Sequence, residues 1–124
     1  MINLRREETI VSEQLVDYAS LSDEAKAEAR KNFMVYYIHQ FKGDNLEEVS
    51  NLADDRDLAM INHLLEENNF QTVDALVPLC ERMVSSSFDR ILQRLNMKYN
   101  LNGESQINWD RWTQSLHTKL PVED

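Results

Sequence analysis

The sequence predicts an all-α, mainly helical protein, an irregular bundle of about five helices. It has only two glycines and two prolines, whereas an all-β chain needs turn residues about every ten positions. Apolar residues make up 42% of the chain and recur at intervals of three and four, as one face of a helix requires. We expect a single domain over residues 1–124, with ends at 1–8 and 121–124 that fray.

The segment Thr9–Tyr18 fits two structures. Val11 and Leu15 share a face with Tyr18 at helical spacing, which favours a helix. The β-branched run at 9–11 instead favours a short strand. The helix is the preferred alternative, and the strand remains open.

The first clear helix start is at Ser22, whose side chain can accept a hydrogen bond from the free amides of the first turn. Asp23 and Glu24 suit the positive end of the helix dipole. Gly43 is predicted to end this helix in a left-handed cap. The stretch Phe33–Phe41 is apolar nearly all round, so we expect it at the centre of the core.

Two shorter helices are predicted next. Asn45 and Glu48 resemble a capping box and start the first of them. The second begins within residues 54–57 and ends near Asn68. Its apolar face consists of Leu58, Ile61, Leu64 and Leu65.

Thr72 is predicted to cap a long fourth helix that continues to about Tyr99. Pro78 is awkward there because its ring clashes with the preceding turn, so the helix starts nearer Leu76 or kinks at the proline. The run Ser85–Ser87 marks a close helix crossing or a break, since serine is a weak helix former.

A loop with Gly103 in it is predicted over Asn100–Gln106, where polar residues cluster. Asn108 then caps a last helix, which Pro121 ends.

Composition also bounds the function. The formal net charge is −9, which disfavours direct binding to nucleic acid or to an anionic membrane and suits a basic protein partner. One cysteine, Cys80, excludes an intramolecular disulfide and suits a buried thiol in a reducing compartment. Neither a signal peptide nor a membrane-length apolar run is present, so we expect a cytoplasmic protein.

No motif for catalysis, metal binding or cofactor binding is recognisable. The acids at 54–57 resemble the start of a calcium loop, but the required glycine is absent and Met60 stands in its place. The three histidines, His39, His63 and His117, are too far apart for a local zinc motif. We therefore predict no catalytic residue, no metal and no cofactor, and the remaining enzyme hypothesis is a site assembled only in three dimensions.

The most unusual feature is an acidic segment. Between residues 44 and 67 eight acids accompany one base, for a net charge of −7. Carboxylates at helical spacing can form a negative row that attracts a basic protein. The alternative is that they only start helices and keep the protein in solution. The predicted partner-binding acids are Asp44, Glu47, Glu48, Asp54, Asp55, Asp57, Glu66 and Glu67.

Residues 80–119 carry the opposite balance, a net charge of +2. Arg90, Arg94 and Lys98 recur every four residues and so share one helix face. Such a stripe is usually a solvated face or forms ion pairs with the acidic segment across the fold, and the less favoured alternative is a phosphate-tracking surface.

Trp109 and Trp112 share a face of the last helix with Leu116. A pair at this spacing is more often a lid on the core. The alternative is an aromatic anchor for a partner, because tryptophan is enriched among interface hot spots.

The stretch Tyr18–Arg30 resembles a helix start common in small acidic proteins encoded by phages and mobile elements, with the wording Leu-Ser-Asp-Glu-Ala-Lys. The resemblance covers this stretch alone. It implies an accessory protein that inhibits a host defence or transcription component by binding it, and it transfers no site residues.

The functional hypothesis is therefore a non-enzymatic, stoichiometric inhibitor of a nucleic-acid-handling protein. Charge would supply attraction and a tryptophan the anchor. On this hypothesis, reversing Asp54, Asp55 and Asp57 to lysine abolishes binding and leaves the helices intact. The alternatives are an antitoxin-like partner and a helical homo-oligomer, such as a homodimer, paired through the stripe from Leu79 to Leu95.

Overall fold

The computed structural model describes residues 14–43 and 55–119, and these are mainly helical. The predicted mainly-α class is therefore confirmed. The helix predicted from Asn45, the β-branched run at 9–11 and the ends at 1–8 and 121–124 lie outside the described residues. The described helices are α1 Asp23–Lys42, α2 Asp55–Glu67, α3 Val73–Arg94 and α4 Trp109–Lys119. Strands β1 Val16–Asp17 and β2 Lys98–Tyr99 and a 3-10 turn Tyr18–Ser20 complete the described elements.

Both ends of α1 are capped where the sequence predicts. The Ser22 hydroxyl accepts a hydrogen bond from the Ala25 amide at 3.1 Å. At the other end the Gly43 amide donates to the His39 carbonyl at 3.0 Å. The prediction of a left-handed cap is wrong, however, because Gly43 has φ −91° and ψ 0°, a conformation that any residue can adopt.

The core is centred on the second half of α1, as predicted. α1 packs mainly on α3, and α2 covers another side of α3. Phe33 is completely buried, and its ring contacts those of Phe88 and Trp109 with centroids 5.9 and 4.8 Å away. Such edge-to-face pairs add about 0.5–1.5 kcal/mol each beyond the area they bury.

α3 is bent, but not at its proline. Thr72 caps it through a 3.2 Å hydrogen bond from the Ala75 amide, and the helix continues through Pro78. The backbone leaves helical geometry at Val84, with φ −135° and ψ 26°, immediately before Ser85–Ser87. The serine run therefore marks the break. Both alternatives predicted around Pro78 are wrong, because the helix begins at Val73 rather than nearer Leu76 and does not kink at the proline.

β1 and β2 correct two helix predictions. α3 ends at Arg94 rather than near Tyr99. Tyr99 instead lies opposite Val16 in an antiparallel pair. In the described part of Thr9–Tyr18 the preferred helix is therefore wrong, because Val16–Asp17 form a strand and Tyr18 begins a 3-10 turn. Burial alternates residue by residue from Leu95 to Tyr99, which is the two-residue period of a strand.

The loop between β2 and α4 follows the prediction. Asn100 organises it by accepting hydrogen bonds from the amides of Asn102 and Glu104 at 2.9 and 3.0 Å. Gly103 has φ +90° and lies against the Ala25 carbonyl of α1. Asn108 caps α4 as expected, accepting from the Asp110 amide at 2.8 Å. Among the described helices none is long and apolar enough to cross a membrane.

Candidate protein-binding surfaces

The structure describes only part of the predicted acidic surface. Asp44, Glu47, Glu48 and Asp54 lie outside the described residues, as does the side chain of Asp55. Asp57, Glu66 and Glu67 are described, and they fall into two different environments.

Asp57 is buried inside the chain, with 2% of its surface exposed. It occupies the inner face of α2 with Leu58 and Ile61. Its Oδ1 accepts from Arg90 Nε and Nη2 at 3.0 and 2.8 Å, and its Oδ2 accepts from Arg94 Nη1 at 3.2 Å. Asp57 therefore joins α2 to α3 instead of facing a partner, which corrects its assignment to the acidic surface.

This network makes stability depend on pH. Hydrogen bonds from Arg90, and then from Arg94, outweigh burial and hold the pKa of the Asp57 carboxyl below its ordinary value of 3.8. A carboxylate whose pKa is lowered by folding stabilises the fold above about pH 4, and that contribution is lost as the pH falls through the folded-state pKa.

We expect Asp57→Asn to lower the free energy of unfolding by about 1–2 kcal/mol at pH 7. The difference from the wild type should shrink as the pH falls below about 4. Urea unfolding of both proteins across that range measures it. The control is Asp17→Asn, because Asp17 forms an exposed ion pair with Lys98 at 2.6 Å, and such pairs contribute about 1 kcal/mol at most. A constant difference across the pH range would contradict the assigned role of Asp57.

The basic stripe is divided between two acids. Arg90 and Arg94 pair with Asp57 of the acidic segment. This agrees with the predicted alternative in which the basic stripe forms ion pairs across the fold. Lys98 pairs instead with Asp17 of β1. A further cation, Arg30, bonds both oxygens of Glu81 at 2.8 and 3.2 Å. Because these charges are engaged within the chain, a phosphate-tracking stripe is disfavoured.

The two tryptophans lie in the core. Trp109 and Trp112 are 6% and 8% exposed, and their rings meet edge to face with centroids 5.2 Å apart. Trp109 also stacks on Tyr36 at 6.0 Å, and the hydroxyls of Tyr36 and Thr113 share a hydrogen bond. The pair is a lid on the core, the alternative that spacing favours, because α4 lies against the aromatic half of α1. Their assignment as exposed anchors is therefore corrected.

An exposed aromatic residue lies elsewhere, at the tip between α2 and α3. Phe70 is 83% exposed, and the exposed acids Glu66 and Glu67 precede it on the last turn of α2. Glu67 is 3.1 Å from His63. We call Glu66, Glu67 and Phe70 the acidic tip. The sequence analysis did not single out Phe70. A signal was available, because Phe70 lies in a short polar turn between Asn68-Asn69 and the Thr72 cap, where few apolar residues can cover its ring.

A cleft of about 440 Å³ lies beside the contact between α1 and the start of α4. This size lies within the ~300–1,000 Å³ typical of ligand pockets. One wall is a stripe of α1 with the spacing i, i+3, i+4 and i+7. The opposite wall is formed by residues 104–105 and 108–110. The α1 wall consists of Asn32, Val35, Tyr36 and His39.

Nothing in the described residues resembles a metal site or an activated thiol. No group of three metal-ligating side chains occurs among the described residues. Cys80 is fully buried, and burial raises the pKa of its thiol to about 11. The thiol is therefore protonated near neutral pH, which disfavours it as a nucleophile.

Comparisons with known proteins found no match to this chain among protein-family models, curated proteins or solved structures.

Proposed function

We propose that this protein is a non-enzymatic binding module that acts stoichiometrically on a basic protein, and that the acidic tip is a main contact. The observation that carries the proposal is Phe70, which leaves 83% of its surface in water three residues after two exposed carboxylates. Exposing most of a phenylalanine forgoes about 1.5–3 kcal/mol of burial. A partner that covers the ring recovers it.

Charge and the aromatic ring have separate roles. The net charge of −9 attracts a basic surface over distances of about a Debye length, ~8 Å at physiological salt, and raises the association rate. Phe70 supplies the apolar contact that slows dissociation. Together they modify the arrangement inferred from sequence, in which all eight acids from Asp44 to Glu67 supplied the charge and a tryptophan supplied the anchor.

The partner class that we propose is a nucleic-acid-handling protein, because such proteins carry basic grooves that a negative surface can occupy. The resemblance of Tyr18–Arg30 to phage and mobile-element proteins supports an inhibitor of a host defence system, such as CRISPR or restriction, or of transcription. The alternative within the same chemistry is an antitoxin-like role. The single buried Cys80 suits a reducing compartment, the host cytoplasm.

Binding is tested with tagged full-length protein incubated with host lysate at low salt and eluted with a salt gradient. The recovered partner is identified by mass spectrometry, purified, and titrated against variants. Phe70→Ala is expected to weaken binding by tenfold or more, on the order of a hot-spot truncation, without loss of stability because the ring is exposed. Its control is Leu101→Ala, which removes another exposed apolar side chain, 60% exposed, from a different turn.

The electrostatic part has its own variant pair. Glu66→Lys with Glu67→Lys is expected to weaken binding and flatten its salt dependence. The control reverses Glu24 and Glu28, which are exposed on the first half of α1. They lie ~20 Å or more along α1 from Lys42, whose Nζ donates to Asn69 beside the tip. Asp57 is spared, since lysine there would face Arg90 and Arg94.

Equal affinity for the wild type and both tip variants would overturn the proposal. Recovery of the chain alone, as an oligomer of defined mass, would favour the homo-oligomer. Within the chain, Phe88, Ile91 and Leu92 of the stripe invoked for that alternative are already buried, which is why we rank it second.

A further inference from the structure

We propose that the cleft between α1 and α4 receives an arginine side chain from the partner. This inference rests on the proposed function, because it takes the partner to be a basic protein. The cleft has about 440 Å³ of space, and its lining combines two carboxylates with apolar side chains in a way that matches an arginine.

The carboxylates stand on one wall. Glu104 is held in place by the Asn100 amide, which donates to its Oε1 at 2.9 Å. Asp110 lies one residue into α4. Neither of these carboxylates forms an ion pair within the described part of the chain. They therefore give this wall two carboxylates that remain available to a cation of the partner.

The apolar contacts come from Val35, Tyr36 and Trp109. The stem of an arginine is apolar and packs along such surfaces while its head remains at the polar rim. Its guanidinium can then donate to Glu104 and Asp110. Arginine fits better than lysine because its planar, forked donors match carboxylates and pack against aromatic rings.

Two other ligand classes fit less well. An anion would seek the free amides at the start of α4, but Asn108 Oδ1 already accepts from Asp110 and Arg111 at 2.8 and 3.3 Å. A metal ion would need a third ligand, and His39, Glu104 and Asp110 form no such group among the described residues.

The cleft runs along the middle of α1, from Asn32 to His39, and its Glu104 directly follows Gly103, which lies against Ala25 near the start of that helix. His39 borders the cleft and precedes Lys42 by three residues, ~5 Å along the helix axis. Lys42 in turn contacts Asn69 at 3.1 Å. A basic partner surface seated on the tip therefore has to extend along α1, past His39, to place an arginine between Glu104 and Asp110.

The test uses ¹⁵N-labelled full-length protein and a blocked pentapeptide with arginine at its centre and glycine elsewhere. The control peptide carries citrulline, which has the same shape without the charge. We expect saturable shifts of the Trp109 indole signal and of the amides of residues 104–110 with the arginine peptide only. Glu104→Gln with Asp110→Asn should weaken this binding by about tenfold or more, as the loss of charge-assisted hydrogen bonds implies. Glu66→Gln with Glu67→Gln removes the same charge elsewhere and should leave the affinity within about twofold.

Equal shifts with arginine and citrulline, or shifts spread over other acidic positions, would overturn the inference. The purified partner separates this inference from the proposed function. Normal partner binding by the Glu104→Gln, Asp110→Asn protein, with loss in Phe70→Ala, would remove the cleft and keep the binding module. Loss of partner binding in the Glu104→Gln, Asp110→Asn protein, with normal binding by Phe70→Ala, would keep the cleft and remove the tip. A partner indifferent to both variants would overturn both.

Discussion

Replacing Arg90 and Arg94 together by alanine is expected to lower the free energy of unfolding by about 2–3 kcal/mol at pH 7. The change removes both guanidinium groups that hydrogen-bond the Asp57 carboxylate, which is 2% exposed. A buried carboxylate that loses its donors keeps the whole cost of its desolvation. The arginines are themselves 49% and 42% exposed, so the expected loss is below that for breaking a fully buried pair.

The pH dependence of this double variant distinguishes lost charge pairing from lost packing. Without the guanidinium groups, burial should raise the pKa of the Asp57 carboxyl above its ordinary value. A carboxyl whose pKa is raised by folding destabilises the fold at neutral pH, and this penalty is relieved as the pH falls. The variant should therefore regain stability between pH 7 and about 4, the opposite of the trend that Asp57 gives the wild type.

The control removes the same charge from exposed positions, by replacing Arg82 and Arg111 with alanine. Neither residue forms an ion pair with another described residue, so we expect a change within about 0.5 kcal/mol per site. Urea unfolding monitored by circular dichroism measures all three proteins. An equal loss in both double variants would show that Asp57 does not depend on the two arginines.

The helices could be predicted because their signals are local. Ser22, Thr72 and Asn108 each precede a helix and cap the amides of its first turn. This interaction involves only neighbouring residues, so it can be predicted without knowledge of the fold. The strands β1 and β2 are two residues long, and Val16 pairs with Tyr99 from the far end of the chain. Pairing over that distance leaves little trace in either segment alone.

The candidate site was harder to predict because charge and aromaticity do not reveal exposure. Asp57 and Glu66 belong to the same acidic segment, yet one faces α3 and the other faces water. The available signal was the spacing of Asp57, which lies four residues before Ile61 and therefore on the same face of the helix. The aromatic residues are equally hard to place from sequence, because Trp109 is buried whereas the smaller Phe70 is exposed.

Gly103→Ala is expected to lower the free energy of unfolding by about 2–4 kcal/mol. Gly103 has φ +90°, and an added Cβ would lie 2.2 Å from the Ala25 carbonyl oxygen. That oxygen belongs to the backbone of the first turns of α1, which cannot rotate away as a side chain can. The loop must therefore move off the helix.

Such a movement would also change the proposed arginine cleft, because Glu104 and Ser105, in the wall opposite α1, directly follow Gly103. In the fraction of Gly103→Ala protein that remains folded, affinity for the arginine peptide should fall. The control is Gly43→Ala, since φ −91° at Gly43 suits alanine and the substitution should change stability by less than about 1 kcal/mol. Thermal unfolding and the peptide titration are measured on both variants.

Unchanged stability with Gly103→Ala would contradict the close approach of the loop to α1. Reduced stability with unchanged peptide affinity would mean that the cleft does not depend on where this loop holds Glu104.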